Sequence, residues 1–312
     1  MKWALIGLFC VVACTAKSDS NKSGDSTAAA PAQADRPIAI VHDGLASAEA
    51  VSFDPALNVY FVSNINGDPG IKDGNGFITR ITADGVVDSL HFIQGGRNGV
   101  TLNGPMGSRV QGDTLWVLDV DVLRGFNART GAPLKAINLA PQGAGFLNDL
   151  AIGPDGDFYI TDTGVRPVSG NLQHVAPDRI YHVDRSGKVT IAIENAALSS
   201  PDGIGWDPAR RRLVLAPFGG KAVQEWHPED KAPTDLAPGP GKFDGVEVEP
   251  DNTIVVTIWN DSTVSTLNGN KLVKKIRLSM PPADASVDVS RGRVGVVSVA
   301  VDRFELWPWP AH

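Results

Sequence analysis

Oxygen-bearing side chains occupy one position of a sequence motif that recurs along the chain. In four copies the polar residue stands six positions before a proline, and these residues are Glu49, Asn148, Asp202 and Asp244. Two looser copies place Met106 and Asp284 at the corresponding position. If the copies are equivalent units of one closed ring, four carboxylates converge on a small space, where like charges need a counter-ion to remain ionised.

A hard divalent cation would supply that counter-ion, because Ca²⁺ takes about six to eight oxygen ligands. The ring contains no cysteine and no histidine, which disfavours zinc. An alternative interpretation is open for Asp202 and Asp244, since each precedes a glycine and Asp-Gly is a common turn dipeptide. Glu49 and Asn148 are not followed by glycine, so turn chemistry explains them poorly. The ring therefore predicts a site for Ca²⁺ or another hard divalent cation.

Each motif copy begins a unit that contains further β-rich runs. In the first unit the motif at 49–55 is followed by runs at 59–62, 76–80 and 86–90. The chain also holds 33 glycines and 22 prolines, which leave little room for long helices. Each unit is therefore predicted to be a four-stranded sheet.

The last unit ends without a fourth run, whereas a spare run at 37–41 precedes the first unit. In the fourth unit only the weak run 232–236 is available as a fourth strand. We predict an all-β fold, a six-bladed β-propeller over residues 37–312 that the N-terminal strand closes by pairing with the last blade. A β-sandwich would not account for six copies of one motif. The tryptophans, Trp259 among them, are expected to pack between blades.

Two connections are longer than the others, at 64–75 in the first unit and 163–178 in the third. Both are expected to emerge on the rim that carries the ring, where long loops commonly carry function. The residues that we predict for a substrate pocket from these loops and the ring are Asn64, Met106, Arg166 and His174. Alternatively, the first of these loops could bind an ion of its own through Asp68, Asp73 and Asn75.

The first 13 residues are predicted to be a lipoprotein signal peptide. Lys2 is followed by an apolar run that is too short to span a membrane as a helix. The run ends in Val-Val-Ala-Cys, which resembles a bacterial lipobox and implies lipidation of Cys14; an ordinary signal peptide cut a few residues later is the alternative. Residues 14–36 are small and polar, and we predict a flexible tether. These features favour an exported protein on the bacterial cell envelope, attached to the membrane through its lipid only.

The charge and cysteine content limit the partners. A formal net charge of −7 argues against nucleic acid, which requires clustered lysine and arginine. Cys10 and Cys14 both lie in the N-terminal segment, so no disulfide is expected in the propeller. We expect a monomer.

The ring resembles that of the superfamily of senescence marker protein (regucalcin), gluconolactonase and luciferin-regenerating enzyme. The shared pattern is a Glu in blade one, an Asn in blade three, a polar residue before Gly in blade four and Asp-Gly in blade five. The resemblance implies that the metal ligands are Glu49, Asn148, Asp202 and Asp244. Where the family usually has Asn, this chain has Asp202, and the added charge should tighten cation binding.

A second departure concerns the substrate. Sugar-lactone members of that family place Arg two residues before the blade-three Asn, and here that position is Phe146. The resemblance therefore implies a pocket for a more apolar ester or lactone, with Phe146 and Met106 in its walls.

The predicted function is a divalent-cation-dependent lactonase or esterase-like hydrolase. In this hypothesis the cation polarises a carbonyl, Asp244 is ligand and general base, and Asn148 steadies the substrate oxygen. Asp284 is the alternative base. A non-catalytic propeller that binds a ligand or protein and uses the cation only structurally is the alternative function, because propellers host both classes.

Overall fold

The computed structural model describes residues 36–169 and 171–309. The predicted signal peptide, Cys14 and the tether up to residue 35 lie outside the described residues. In chain order the strands are β1 (Ala39–Val41), β2 (Ala48–Asp54), β3 (Val59–Asn64), β4 (Phe77–Thr82), β5 (Val87–Gln94), β6 (Pro105–Gln111), β7 (Thr114–Asp119), β8 (Val122–Asn127), β9 (Pro133–Asn138), β10 (Leu147–Ile152), β11 (Phe158–Asp162), β12 (Val165–Val168), β13 (Asn171–His174), β14 (Arg179–Val183), β15 (Val189–Glu194), β16 (Pro201–Asp207), β17 (Arg212–Pro217), β18 (Ala222–Trp226), β19 (Thr234–Pro238), β20 (Phe243–Val248), β21 (Ile254–Ile258), β22 (Thr263–Asn268), β23 (Lys271–Arg277), β24 (Ala285–Asp288), β25 (Arg293–Ser298) and β26 (Arg303–Pro308). Short 3-10 turns lie at Ala140–Gln142, Ala196–Leu198 and Val289–Arg291.

Across the described residues these strands form six antiparallel four-stranded sheets, which are the blades of a β-propeller. Blades one to five are β2–β5, β6–β9, β10-β11-β14-β15, β16–β19 and β20–β23, and blade six is β24-β25-β26 with β1 on its outside. The predicted fold is thereby confirmed. The weak run of the fourth unit forms β19, which pairs with β18.

The N-terminal strand closes the ring as predicted. Ala39 pairs with Leu306 in an antiparallel register between β1 and β26. Tyr60 of blade one then packs on Phe304 of blade six, with ring centroids 5.4 Å apart. The first and last blades are therefore joined both by the sheet and by buried aromatic contact.

Buried apolar side chains fill the space between neighbouring blades. Between blades three and four, for example, Tyr159 and Ile180 pack in one cluster with Ile204, Leu213 and Trp226. Removing these faces from water is the main stabilising contribution and fixes each blade against the next. No helix among the described residues is long and apolar enough to cross a membrane.

One predicted loop contains further strands. The connection at 163–178 includes the two-stranded sheet β12–β13, in which Val165 pairs with His174 and Val168 with Asn171. Its short strands include Pro167, which cannot donate to a ladder, and they lack the alternating apolar pattern of the blade strands. The sequence therefore indicated a loop where the chain forms a hairpin.

Candidate active site

Irregularities in the inner strands position the ring residues. In each of blades one to five the pairing register of the first strand breaks at the ring position, between Ala48/Ala50, Pro105/Ser108, Leu147/Leu150, Pro201/Gly203 and Phe243/Val246. Such bulges redirect a side chain that would otherwise alternate with its neighbours. As a result, the acidic and amide ring residues line one axial pocket of about 10 Å³, the space of a single water molecule or small ion.

Glycines beside the ring allow the blades to approach closely. A Cβ on Gly203 would lie 2.2 Å from the Asp244 carbonyl oxygen, and one on Gly245 would lie 2.3 Å from Oδ1 of Asp284. Neither glycine has a positive φ, and both lie inside strands. These Asp-Gly pairs are therefore not turns, and their glycines are required because the next blade is so near.

The ring carboxylates are mostly buried, and they repel one another. Burial, followed by the charges of Asp284 and Asp149, raises the pKa of Glu49 to about 7. The pKa values of Asp202 and Asp244 lie well above the usual range, chiefly because of burial and then because of neighbouring carboxylates. The metal-free ring therefore disfavours the ionised forms of these groups, and a bound cation would favour them.

This donor set fits a hard divalent cation. Glu49, Asp202 and Asp244 offer carboxylate oxygens and Asn148 an amide oxygen around the axial pocket, and sulfur and imidazole are absent from its lining. Within the part of the chain that the structure describes, no three histidine, cysteine or acidic side chains already surround a common metal position.

Arg109 of β6 is an internal cation that the sequence did not reveal. Its Nη2 donates to Oδ2 of Asp149 at 3.1 Å and to the Val246 carbonyl at 3.0 Å, and its Nη1 lies 3.8 Å from Oδ2 of Asp284. Among the described residues, no ion pair involves Glu49, Asp202 or Asp244. Two of the axial carboxylates therefore have a counter-ion within the protein, and the three predicted acidic ligands have none.

Replacing Arg109 should destabilise the propeller strongly. We expect Arg109→Met to lower the free energy of unfolding by about 3–5 kcal/mol, because it leaves the carboxylates of Asp149 and Asp284 buried without a partner. The matched control is Arg210→Met, since Arg210 is exposed and Asp207 keeps its bond to Arg212 at 3.0 Å. In urea, the free energy of unfolding of the control should differ from that of the wild-type protein by less than about 1 kcal/mol. Equal losses in the two variants would contradict the role of Arg109.

Above the ring lies a larger cavity of about 390 Å³ whose walls are mainly apolar. Its floor contains Glu49, Asn148, Asp202 and Asp244. The apolar side chains of its walls are Ile65, Pro69, Met106, Phe146, Val165, Phe218, Trp259 and Val299. The predicted pocket residues Met106 and Phe146 are thus placed beside the four predicted ligands, and both long connections contribute to the walls.

Asn64, by contrast, does not line this cavity. Its side chain is fully buried, its amide nitrogen donates to the Val62 carbonyl and to Oγ1 of Thr79, and its oxygen accepts from the Ala46 amide. The bonds to Thr79 and Ala46 connect the end of β3 to the neighbouring chain segments. Asn64 therefore stabilises the chain where the loop begins and does not contribute to the pocket.

Arg166 and His174 also lie outside the cavity lining. Arg166 forms a two-pronged ion pair with Asp162, at 2.9 and 3.0 Å, and Nε2 of His174 lies 2.8 Å from Oδ1 of Asp178. Both pairs tie the β12–β13 hairpin to the blade. In the other loop, Asn75 donates to Asp73 at 2.7 Å, so two of the three alternative ion ligands hydrogen-bond each other.

The two candidate bases differ in access. Asp244 lines both the axial pocket and the upper cavity, whereas Asp284 lines only the axial pocket. Asp284 accepts bonds from the amides of Val51 and Ala285 and faces Arg109. The geometry therefore favours Asp244 for chemistry on a molecule in the cavity.

An aromatic wall was not expected at this place. Trp259, expected to pack between blades, lines the cavity together with Phe218, and their ring centroids are 6.0 Å apart. Trp259 directly follows β21, at the strand end that faces the cavity. Ile65 likewise follows the second strand of its blade and lines the cavity. The order of the strands could therefore have indicated that Trp259 faces the cavity.

Comparisons with known proteins agree with this architecture. Residues 102–286 match the model of the SMP-30/gluconolactonase/LRE-like region. A gluconolactonase from Xanthomonas campestris superposes with a TM-score of 0.66 and 18% identity, covering 88% of this chain and 89% of that one. A luciferin-regenerating enzyme superposes with a TM-score of 0.58 and 12% identity, covering 86% of this chain and 94% of that one. A chain of a nidogen/laminin complex superposes with a TM-score of 0.61 and 15% identity, covering 78% of this chain and 85% of that one. No curated protein sequence matches significantly.

Proposed function

Since this chain belongs to the SMP-30/gluconolactonase/LRE-like family, we propose that it is a lactonase-like hydrolase that requires Ca²⁺ or a similar divalent cation and acts on apolar esters or lactones. One observation carries the proposal: a cavity with apolar walls has a floor of three carboxylates and an amide. Such a site can bind an apolar molecule and bring one polar group of it to the floor.

The ligands in this proposal are Glu49, Asn148, Asp202 and Asp244. A bound divalent cation would supply Lewis-acid polarisation of the scissile carbonyl. Asn148 lines both the axial pocket and the floor of the cavity, beside Asp202. The amide can then donate to the carbonyl oxygen of a substrate that rests on the floor, where negative charge develops during the reaction.

Asp244 is the proposed general base. Its carboxylate lines the cavity, where it can accept a proton from a water molecule beside the bound ester. It removes a proton from the water that attacks the carbonyl carbon, the bond to the alkoxy oxygen breaks, and the proton is returned to that oxygen. Asp284 has no access to the cavity and keeps Arg109 in place.

The walls determine the substrate class. Phe146 and Met106 offer no strong hydrogen bonds to the several hydroxyl groups of a sugar lactone and would strip water from them at a cost. Each buried methylene group of an alkyl chain contributes about 0.8 kcal/mol instead. We therefore propose a substrate with an alkyl or aryl body.

A panel of substrates tests the proposal. The purified protein is first analysed for bound metal and then assayed with δ-decalactone, an aryl butyrate ester and glucono-δ-lactone, each with and without chelator. We expect δ-decalactone to exceed glucono-δ-lactone in kcat/KM by at least about tenfold, from the transfer of its alkyl chain into the cavity. Chelator should abolish turnover and added Ca²⁺ should restore it. Bound Ca²⁺ without turnover of any of the three would contradict the proposal.

That last outcome would favour the second candidate, a non-catalytic binding propeller with a structural cation. The similarity to a chain of a nidogen/laminin complex supports this candidate, because the same fold occurs there in a complex between proteins. On either function we propose an exported, lipid-anchored monomer on the bacterial cell envelope, on the strength of residues 1–36. Loss of membrane association in Cys14→Ser would support the anchor.

A further inference from the structure

The channel contains a further cavity, here called the lower cavity, on the other side of the ring. Its volume is about 250 Å³, and the inner strand of every blade contributes to its lining. One lining residue from each blade, in blade order, is Ser52, Arg109, Ala151, Ile204, Glu247 and Ser286. These residues come two or three positions after the ring residues of the same strands, and a strand rises about 3.3 Å per residue. The lower cavity therefore lies toward the opposite end of the channel from the upper cavity.

Arg109 lies between the lower cavity and the ring. The residue lines the lower cavity, and its guanidinium group bonds to Asp149, which lines the axial pocket. Asp284, the second carboxylate near that group, also lines the axial pocket. A molecule in the lower cavity therefore meets a guanidinium group whose charge is already balanced by carboxylates of the axial pocket.

Glu247 provides the lower cavity with a carboxylate that has no counter-ion. Its Oε2 accepts a bond from the Val287 amide at 3.2 Å, so the half-buried side chain reaches from blade five to the inner strand of blade six. Among the described residues, no lysine, arginine or histidine forms an ion pair with it. Burial raises the pKa of Glu247 to about 7, although the charge of Arg109 acts against the rise. The ionised carboxylate is therefore only partly compensated within the protein, and a cation bound in the cavity would stabilise it.

The other walls of the lower cavity determine which kind of cation fits. They are mainly apolar and include two half-buried aromatic residues, Phe53 and Trp206. Aromatic rings attract cations, and apolar walls favour an alkyl body. A hard metal ion takes about six to eight oxygen ligands, whereas the side chains of the lining supply one carboxylate and two serine hydroxyl groups. An organic cation therefore fits these walls better than a metal ion.

We propose that the lower cavity binds a small organic ammonium ion, whose charge pairs with Glu247 and whose alkyl groups contact the apolar walls. The cavity is slightly smaller than the roughly 300–1,000 Å³ of ordinary ligand sites, which restricts the ligand to a small molecule. Neither Glu247 nor Trp206 lines the upper cavity. The ammonium site is therefore separate from the site of the proposed hydrolysis and does not depend on it.

Calorimetric titration of the wild-type protein with choline tests the proposal. The comparison ligand is the neutral alcohol in which a carbon atom replaces the quaternary nitrogen of choline, because it has the same shape and no charge. Excess Ca²⁺ is present in both titrations, so that choline does not compete for empty ring carboxylates. We expect choline to bind at least about tenfold more tightly than the alcohol. Equal affinities, or no binding of choline, would overturn the inference.

Two matched variants locate the bound choline. Glu247→Gln keeps the shape of the side chain without its charge, and it should weaken choline binding by at least about tenfold while changing the affinity for the alcohol by less than about threefold. The control is Glu249→Gln, because Glu249 follows the same strand but bonds to Trp309 and does not line the lower cavity. This control should bind choline within about threefold of the wild-type affinity. Equal losses in the two variants, or choline binding that persists in Glu247→Gln, would overturn the inference.

Discussion

Asp244→Asn is expected to abolish hydrolysis and cation binding while making the metal-free protein more stable. The carboxylate lines both the axial pocket and the substrate cavity, so its loss removes a ligand and the proposed base together. We expect kcat/KM to fall by at least about a thousandfold, or about 4 kcal/mol of transition-state stabilisation. Calorimetric titration with Ca²⁺ should show greatly weakened binding.

The gain in stability follows from the electrostatics of the ring. Burial and then the charge of Asp202 raise the pKa of Asp244 well above the usual range, so its ionised form is costly in the metal-free fold. The amide has the same shape and no charge, and the melting temperature in chelator above neutral pH should therefore rise. Loss of activity together with a lower melting temperature would instead indicate misfolding.

Asp284→Asn is the matched comparison. Asp284 has no access to the upper cavity, so this variant should keep measurable hydrolysis and Ca²⁺ binding. It removes a carboxylate partner of Arg109 and leaves one of the amides of Val51 and Ala285 without an acceptor, so it should be less stable than Asp244→Asn in chelator. The reverse pattern, with activity retained by Asp244→Asn and lost by Asp284→Asn, would assign the base to Asp284.

The register of the blades could be predicted from sequence because it depends on local chemistry. Proline cannot donate to a β-ladder, and a proline follows the inner strand directly at Pro55 and Pro208. Counting back from such prolines places Glu49 and Asp202 at equivalent positions without any tertiary information. The closure by the N-terminal strand also followed from the sequence, since a missing strand at one end and a spare strand at the other leave few solutions.

The parts of the site that sequence did not reveal depend on contacts between blades. Arg109 lies 40 residues before Asp149 and meets it only because two inner strands pack around the axis. Asn64 shows the opposite case: a polar residue at the start of a long loop that satisfies the backbone instead of facing the pocket.

The ring also divides the axis into two electrostatic regions. Arg109 neutralises part of the charge of Asp149 and Asp284, deep in the channel. Glu49, Asp202 and Asp244, nearer the cavity, have no positive side chain among their described partners. The protein therefore supplies its own cation where chemistry is not proposed and leaves unpaired carboxylates where a metal ion would act.

Removal of the cation should make the stability of the protein fall as pH rises. Glu49 has a pKa of about 7 in the fold, against 4.5 as an ordinary value, and Asp284 about 7 against 3.8. Between the ordinary and the raised pKa of each group, the folded protein binds more protons than the unfolded chain. The free energy of unfolding therefore decreases with increasing pH over this range. Asp202 and Asp244 add to the decrease, because their pKa values are also raised.

Bound Ca²⁺ reverses this dependence, because it binds the ionised carboxylates and only in the folded state. In chelator, we expect the melting temperature to fall by at least about 4 °C between about pH 5 and pH 8, since each unit of pKa shift corresponds to about 1.4 kcal/mol. The increase in melting temperature on adding Ca²⁺ should be small at the lower pH and largest at the higher one. Asp244→Asn, which lacks one of the titrating groups, should show a shallower fall in chelator and little response to Ca²⁺. A Ca²⁺ response of equal size at both pH values would show that the ring carboxylates are not the groups that bind the ion.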